Sequence, residues 1–229
     1  MKLFKNIGAI VGVRKDAGEA LRGDAMNDLP VLSDAWMTVE GETIHSYGPM
    51  SECPADAEET IDVSGGWVFP SFCDSHTHMV FAGSREREFV DKINGLSYAE
   101  IAARGGGILN SADRLHNYTE EQLFDEAVPR LCTIIASGTG AVEIKSGYGL
   151  TLEDELKMLR VIARVREEFP LEVRSTFLGA HAVGRAYEGR QEEYVEHVCR
   201  DMLPAVAAEG LADYVDVFCE QGFFTVEQT

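Results

Sequence analysis

Two histidines, His76 and His78, flank Thr77 in the stretch PSFCDSHTHMVFAG, residues 70–83. In an extended chain, side chains two residues apart leave the same face, about 6.6 Å apart along the strand. Two imidazoles so placed can converge on one cation at roughly 2.0–2.1 Å each, with Thr77 turned away. The same spacing suits two polar residues where a strand reaches the surface, and spacing alone leaves both readings open. The run before them, Trp67-Val68-Phe69-Pro70, reads as a buried strand entering from a Gly65-Gly66 turn.

Other polar residues fall at comparable places. Lys145 to Gly149 end the strand-like GAVEIKSGYG, His181 ends LEVRSTFLGAHA, and Glu220 ends YVDVFCEQG. In parallel α/β folds, ligands gather where strands deliver their C-terminal ends, and four polar ends in series point to a site. Arg85 follows Phe81-Ala82-Gly83-Ser84. Its planar guanidinium suits a bidentate carboxylate, although an exposed arginine in SREREF reads equally well. Arg87 fits that second description better. Lys145 reads as a core-edge or salt-bridged lysine. Tyr148, between Gly147 and Gly149, either turns its phenol to a ligand or packs on the next helix. His181, flanked by small residues, reads as a substrate contact or ligand. His45 reads as a surface strand residue, and His116 and His197 as solvated. RGGGIL (104–109) lacks the strand-to-helix context of a dinucleotide fingerprint and reads as a loop over a pocket.

The elements that must position these residues change character near residue 65. Residues 1–64 are short β-like pieces. Ala35–Val39 and Glu42–His45 form a hairpin about Glu40-Gly41, and the acidic stretch from Arg14 to Asp34 reads as an exposed loop. Residues 65–229 alternate strand, loop and helix, which implies parallel pairing. Thr119 and Gln122 are spaced as a capping box before an apolar stripe of Leu123, Ala127, Leu131, Ile134 and Ile135, closed by Gly138. A second helix over 151–170 has an acidic first turn, a stripe of Leu152, Leu156, Leu159 and Ile162, and a stop at Pro170. A third, from about Glu192 to Glu209, is bent or restarted at Pro204. Thr225 and Gln228 repeat the capping-box spacing just before Thr229, so the chain reads as cut short inside a helix's first turn.

Composition sets the bounds. The 229 residues carry 20 Lys plus Arg against 39 Asp plus Glu, a net charge of −19 that disfavours nucleic acid as a partner. A hydrophobic fraction of 45% argues for a folded core. Five scattered cysteines without a CxxC pair suit free, mostly buried thiols in a reducing compartment. The N-terminal MKLFKNIGAIVGVRKD lacks a convincing cleavage site and reads as a strand. No run approaches the roughly 18 apolar residues of a membrane span. The expectation is a cytoplasmic protein with a small-molecule substrate and no membrane partner, homo-oligomeric when full length.

Together the stretches DSHTHMVFAGSREREF, GLSYAEIAARGGGIL, EIKSGYGL, STFLGAHAV and EEYVEHVCRDMLPAVAAEGLADYVDVFCEQGFFTVEQ resemble the imidazolonepropionase family of the amidohydrolase superfamily, with MNDLPVLSDAWM a weaker match. His-x-His is common to the whole superfamily; EIKSGYGL and GAHAV are far more specific. The resemblance implies the N-terminal half of a (β/α)8 barrel, about four βα units, preceded by part of a small β-sandwich. It implies hydrolysis of 4-imidazolone-5-propanoate to N-formimidoyl-L-glutamate in histidine degradation. His76 and His78 become ligands of one divalent metal ion, zinc or iron, and Arg85, Tyr148 and His181 become substrate contacts. The family's remaining metal ligands and acid/base residues are expected beyond Thr229, so the catalytic residues are unknown and the fragment is expected to be inactive alone. PSFCD replaces the family's usual PGLVD, and Gly184-Arg185 stands where prolines are frequent. The competing expectations are a non-catalytic fragment, or an amidohydrolase acting on another cyclic amide or heterocycle.

Overall fold

The computed structural model describes residues 1–14, 20–97, 100 and 106–229, and not the side chain of Arg87. Arg104 and Gly105 of the glycine-rich loop, and residues 15–19 of the acidic stretch, lie outside the described residues, as does the reading of Arg87. Two compact units divide the chain, Met1–Pro70 and Ser71–Thr229.

The first unit is a five-stranded sheet. Strand β1 (Lys2–Val11) is antiparallel to β2 (Val31–Glu40), which forms the expected hairpin with β3 (Thr43–Pro49). Gly41, at φ 59°, supplies the left-handed turn residue between them. Strands β4 (Glu59–Asp62) and β5 (Trp67–Val68) both pair in parallel with β1. Ile7, Ile10, Ala35 and Met37 form a small core. Two expectations are corrected here. The acidic stretch becomes strand at Val31, its earlier part holding an exposed 3₁₀ turn, Gly23–Asn27. The run 67–70 is not buried: Trp67 is 61% and Phe69 60% exposed, because β5 is a two-residue edge strand. Its pairing with Ala9 and Ile10 assigns residues 65–70 to the first unit.

The second unit is built on four parallel strands in sequence order, β6 (Phe72–Thr77), β7 (Thr139–Lys145), β8 (Glu172–Ala180) and β9 (Tyr214–Val217). Helices α1 (Glu86–Ile93), α2 (Ile108–His116) and α3 (Glu120–Ala136) precede β7, and α4 (Leu152–Glu168) precedes β8. Before β9, α5 (Gln191–His197) passes through a π turn at Val198–Met202 into α6 (Leu203–Glu209). Side chains alternate along the strands. Val142, Ile144, Val173 and Phe177 pack with Leu123, Leu131, Leu159 and Ile162 of the helices. The alternate positions Glu143 and Lys145 turn to the other face, where Asp216 meets Lys145. This curled parallel sheet is half of a (β/α)8 barrel.

Local signals explain the helix limits. Thr119 accepts from the Gln122 N–H while Gln122 returns a bond to Thr119, the capping box read from spacing. Pro204 cannot donate to the preceding turn and sits at the start of α6; the π turn absorbs the misfit. Thr225 and Gln228 also exchange their capping bonds, around a single turn. The five cysteines are unpaired as expected, but not buried. Cys73, Cys132, Cys199 and Cys219 are exposed and Cys53 is intermediate.

Candidate active site

The C-terminal ends of β6, β7 and β8 bring four rings together. His76 lies in the last turn of β6 and His78 follows it, with ring centroids 5.9 Å apart and planes at 72°. Thr77 between them is buried and donates its hydroxyl to the Glu143 carbonyl at 2.6 Å, which fixes the alternation. The His78 Nδ1 is buried without a hydrogen-bond partner. A buried ring nitrogen with no partner is costly unless it has a ligand. Burial, reinforced by repulsion from His181 and His76, lowers the His78 pKa from 6.5 to about 4 and keeps the ring neutral, the form a metal ligand requires. Among the described residues, no three His, Cys, Asp or Glu side chains form a metal donor set.

Tyr148 and His181 complete the cluster. The Tyr148 ring is 5.1 Å from His78 and 5.4 Å from His181, so the phenol is packed on the two imidazoles. His181 lies 5.3 Å from His78, nearly parallel to it, and Phe218 closes its other side at 5.8 Å. The His181 Nδ1 contacts the Gly147 carbonyl at 2.9 Å. A carbonyl only accepts, so Nδ1 carries the proton and Nε2 keeps a lone pair. Burial lowers the His181 pKa and raises that of Tyr148, leaving both rings neutral near pH 7.

Arg85 stands at the entry to α1. Its guanidinium donates to Glu88 from Nε at 2.8 Å and also from Nη2. Glu88 is itself fixed by the Gly107 N–H at 3.0 Å. Arg85 is near enough for its charge to act on both Tyr148 and His181. Lys145 is the salt-bridged lysine expected, held by Glu143 at 2.8 Å and Asp216 at 3.0 Å. His45 is an exposed strand residue. Glu220 does not join the cluster: it is exposed and accepts from the Gln221 N–H. His116 is largely exposed but bonds the buried Asp154 at 2.8 Å. His197 is not solvated: it is 20% exposed, stacked on Tyr187 and paired with Asp201, because α5 lays it against the 3₁₀ turn Arg185–Tyr187. Gly184-Arg185 also gains a reason. A Cβ at Gly184 would meet the Leu150 carbonyl at 2.5 Å, and Arg185 forks onto Asp113.

One residue of this neighbourhood had no sequence signal. Glu155, fully buried in the first turn of α4, accepts the N–H groups of Gly147, Gly149 and Leu150 at 2.8–2.9 Å. Its presence is implied only by the need of a Gly-rich loop for an acceptor, which no spacing rule supplies.

Among the described residues, no helix is long and apolar enough to cross a membrane. No family model matches the chain. An imidazolonepropionase of Christiangramia forsetii is 49% identical over 228 residues, 99% of this chain and 56% of the relative. One of Pseudomonas fluorescens is 51% identical over 199 residues, 86% of this chain and 50% of the relative. The chain therefore spans about half the length of the curated relatives it matches. Among solved structures, a triazine hydrolase variant aligns with a TM-score of 0.58 at 12% identity, over 93% of this chain and 45% of that one. The 5-methylcytosine deaminase of Klebsiella pneumoniae aligns at 0.54 and 16% identity, over 90% and 42%. These distant likenesses carry the half-barrel fold and nothing finer. At close to half of all positions identical over nearly its whole length, the chain is similar to the matching half of proteins named imidazolonepropionase.

Proposed function

We propose that this chain serves the hydrolysis of 4-imidazolone-5-propanoate to N-formimidoyl-L-glutamate, a metal-dependent cyclic-amide cleavage in histidine degradation. The carrying observation is the 48–51% identity to proteins of that name, over 99% of this chain in the first of them. His76 and His78 would hold a divalent cation, zinc or iron, which when bound supplies Lewis-acid polarisation of a carbonyl and acidifies water. The unpartnered His78 Nδ1 supports that reading. An atrazine chlorohydrolase of the same fold, from Arthrobacter aurescens and complexed with zinc, agrees with a divalent ion. Arg85, oriented by Glu88, would bind the substrate propanoate. Tyr148 would offer its hydroxyl to the ring, and the His181 Nε2 would accept a ring N–H. Five unpaired cysteines suit the reducing cytosol as the place of reaction.

The test joins residues 1–229 to the remaining segment of the Christiangramia forsetii relative. The expected chimera hydrolyses 4-imidazolone-5-propanoate. His78→Ala should lose metal and turnover together, and Arg85→Met should lose about 30- to 1,000-fold in kcat/KM. A folded, metal-loaded chimera that leaves this substrate intact while opening another cyclic amide would overturn the assignment.

A further inference from the structure

The Ser146–Leu150 loop carries Tyr148 and touches His181, and beyond Ser146 its backbone is held from outside the loop. Its backbone is demanding: Gly147 lies at φ 102°, and Leu150, a residue with a side chain, at φ 57°. Three backbone donors within four residues, on Gly147, Gly149 and Leu150, point inward and away from water. A buried N–H needs an acceptor, and here all three find the same carboxylate. The Oε2 of Glu155 takes the Gly147 N–H at 2.9 Å; Oε1 takes Gly149 at 2.8 Å and Leu150 at 2.9 Å. The Ser146 hydroxyl donates to the same group and accepts the Leu178 N–H at 3.0 Å, which ties the loop to β8. All four partners are donors and favour the ionised carboxylate, but burial outweighs them and pushes the Glu155 carboxyl up.

We infer that Glu155 is a positioning residue: it holds the Ser146–Gly147 and Tyr148–Gly149 peptides on either side of the Gly147–Tyr148 peptide, and thereby fixes both the Tyr148 ring and the tautomer of His181. The link is one residue long. The Gly147 N–H bonds Glu155, and the carbonyl of the same residue receives the His181 Nδ1 proton at 2.9 Å. Space leaves no alternative, since a Cβ on Gly147 would fall 2.9 Å from His181 Nδ1 and 3.0 Å from the Leu178 carbonyl. Release of Glu155 lets the peptide turn, and His181 is then free to place its proton on either nitrogen. The catalytic meaning rests on the substrate reading above; the geometric claim does not.

The test is long-range ¹H–¹⁵N correlation of the histidine rings in the ¹⁵N-labelled 229-residue chain, with Glu155→Gln and Asp154→Asn beside the wild type. Wild-type His181 should show a single tautomer with the proton on Nδ1; a proton on Nε2 would overturn the inference without any variant. Gln has one acceptor oxygen and one amide, so keeping Gly149 and Leu150 bonded sets the amide against the Gly147 N–H. In Glu155→Gln, His181 should therefore become a mixture of tautomers. Asp154→Asn perturbs the same helix turn without touching the loop, and should keep the single tautomer. An unchanged His181 spectrum in Glu155→Gln, or an equal change in both variants, refutes the positioning role. Turnover plays no part, so failure of the hydrolase reading and failure of this one are separable.

Discussion

Replacing Asp154 by alanine tests the tightest polar junction outside the site. Its side chain is 2% exposed and accepts from Lys157 Nζ at 2.7 Å, from His116 Nδ1 at 2.8 Å and from Thr151 Oγ1 at 3.0 Å. Lys157 also reaches the carbonyls of Leu115 and His116, so the carboxylate locks the first turn of α4 to the end of α2. Removing one partner of a buried pair costs about 3–5 kcal/mol. Two details place this case lower. Lys157 keeps its two carbonyls, and His116, 65% exposed, regains water on its own. The expected loss is about 2–3 kcal/mol at pH 7. Urea unfolding followed at 222 nm reads it, with Lys157→Met and the double variant completing a cycle. Coupling of about 1–2 kcal/mol is expected, because the second change removes the orphaned charge. The effect has a pH signature as well. Burial opposes the charge, but Lys157 and His116 hold the Asp154 carboxyl below its ordinary 3.8. Its contribution is thus complete above that value and disappears as pH falls through the lower, folded one. A loss under about 0.5 kcal/mol, or two single effects that simply add, would refute the lock.

Gly147→Ala should destabilise by about 2 kcal/mol or more, since a left-handed φ and two sub-3.1 Å approaches penalise any Cβ there. The same unfolding assay checks it, and a neutral result would contradict the loop geometry. The second prediction concerns acid. With His78 lowered from 6.5 to about 4, the unfolded chain takes up a proton in that window and the folded chain does not. The His78 contribution should fall by about 1–2 kcal/mol as pH drops from 6.5 to 4, once the ring's partial exposure is allowed for, and change no further below. His78→Phe should flatten that limb; an identical slope in the variant would show that other groups cause it.

Legibility followed the range of the interaction. The Thr119–Gln122 box and the stripe of Leu123, Ala127 and Leu131 are contained within a few residues, and spacing alone found them. That the rings of His76 and His78 lie side by side follows from their spacing in the same way, whereas Lys145 needed Asp216, far off in sequence, to complete its ion pairs. Glu155 was not, because its donors lie in a loop and their convergence exists only after α4 docks. Trp67 and Phe69 misled because apolar composition marks a strand but not its place in a sheet; an edge strand of two residues leaves both exposed. The cysteines misled because a general tendency to burial says nothing of where each one falls in this fold. His197 needed Tyr187, ten residues away and in contact only through the turn at Arg185–Tyr187.

Both tryptophans of the chain, Trp36 and Trp67, lie in the first unit, whereas all the α-helices among the described residues lie in the second. The molecule thus carries two optical reporters that do not overlap. Indole emission belongs to the sheet of residues 1–70, and helical ellipticity belongs to residues 71–229. Trp36 is 8% exposed and Trp67 61%, so iodide should quench the red edge of the emission before the blue. Superposed denaturation curves from the two signals would mean one cooperative molecule, and separated midpoints would mean two.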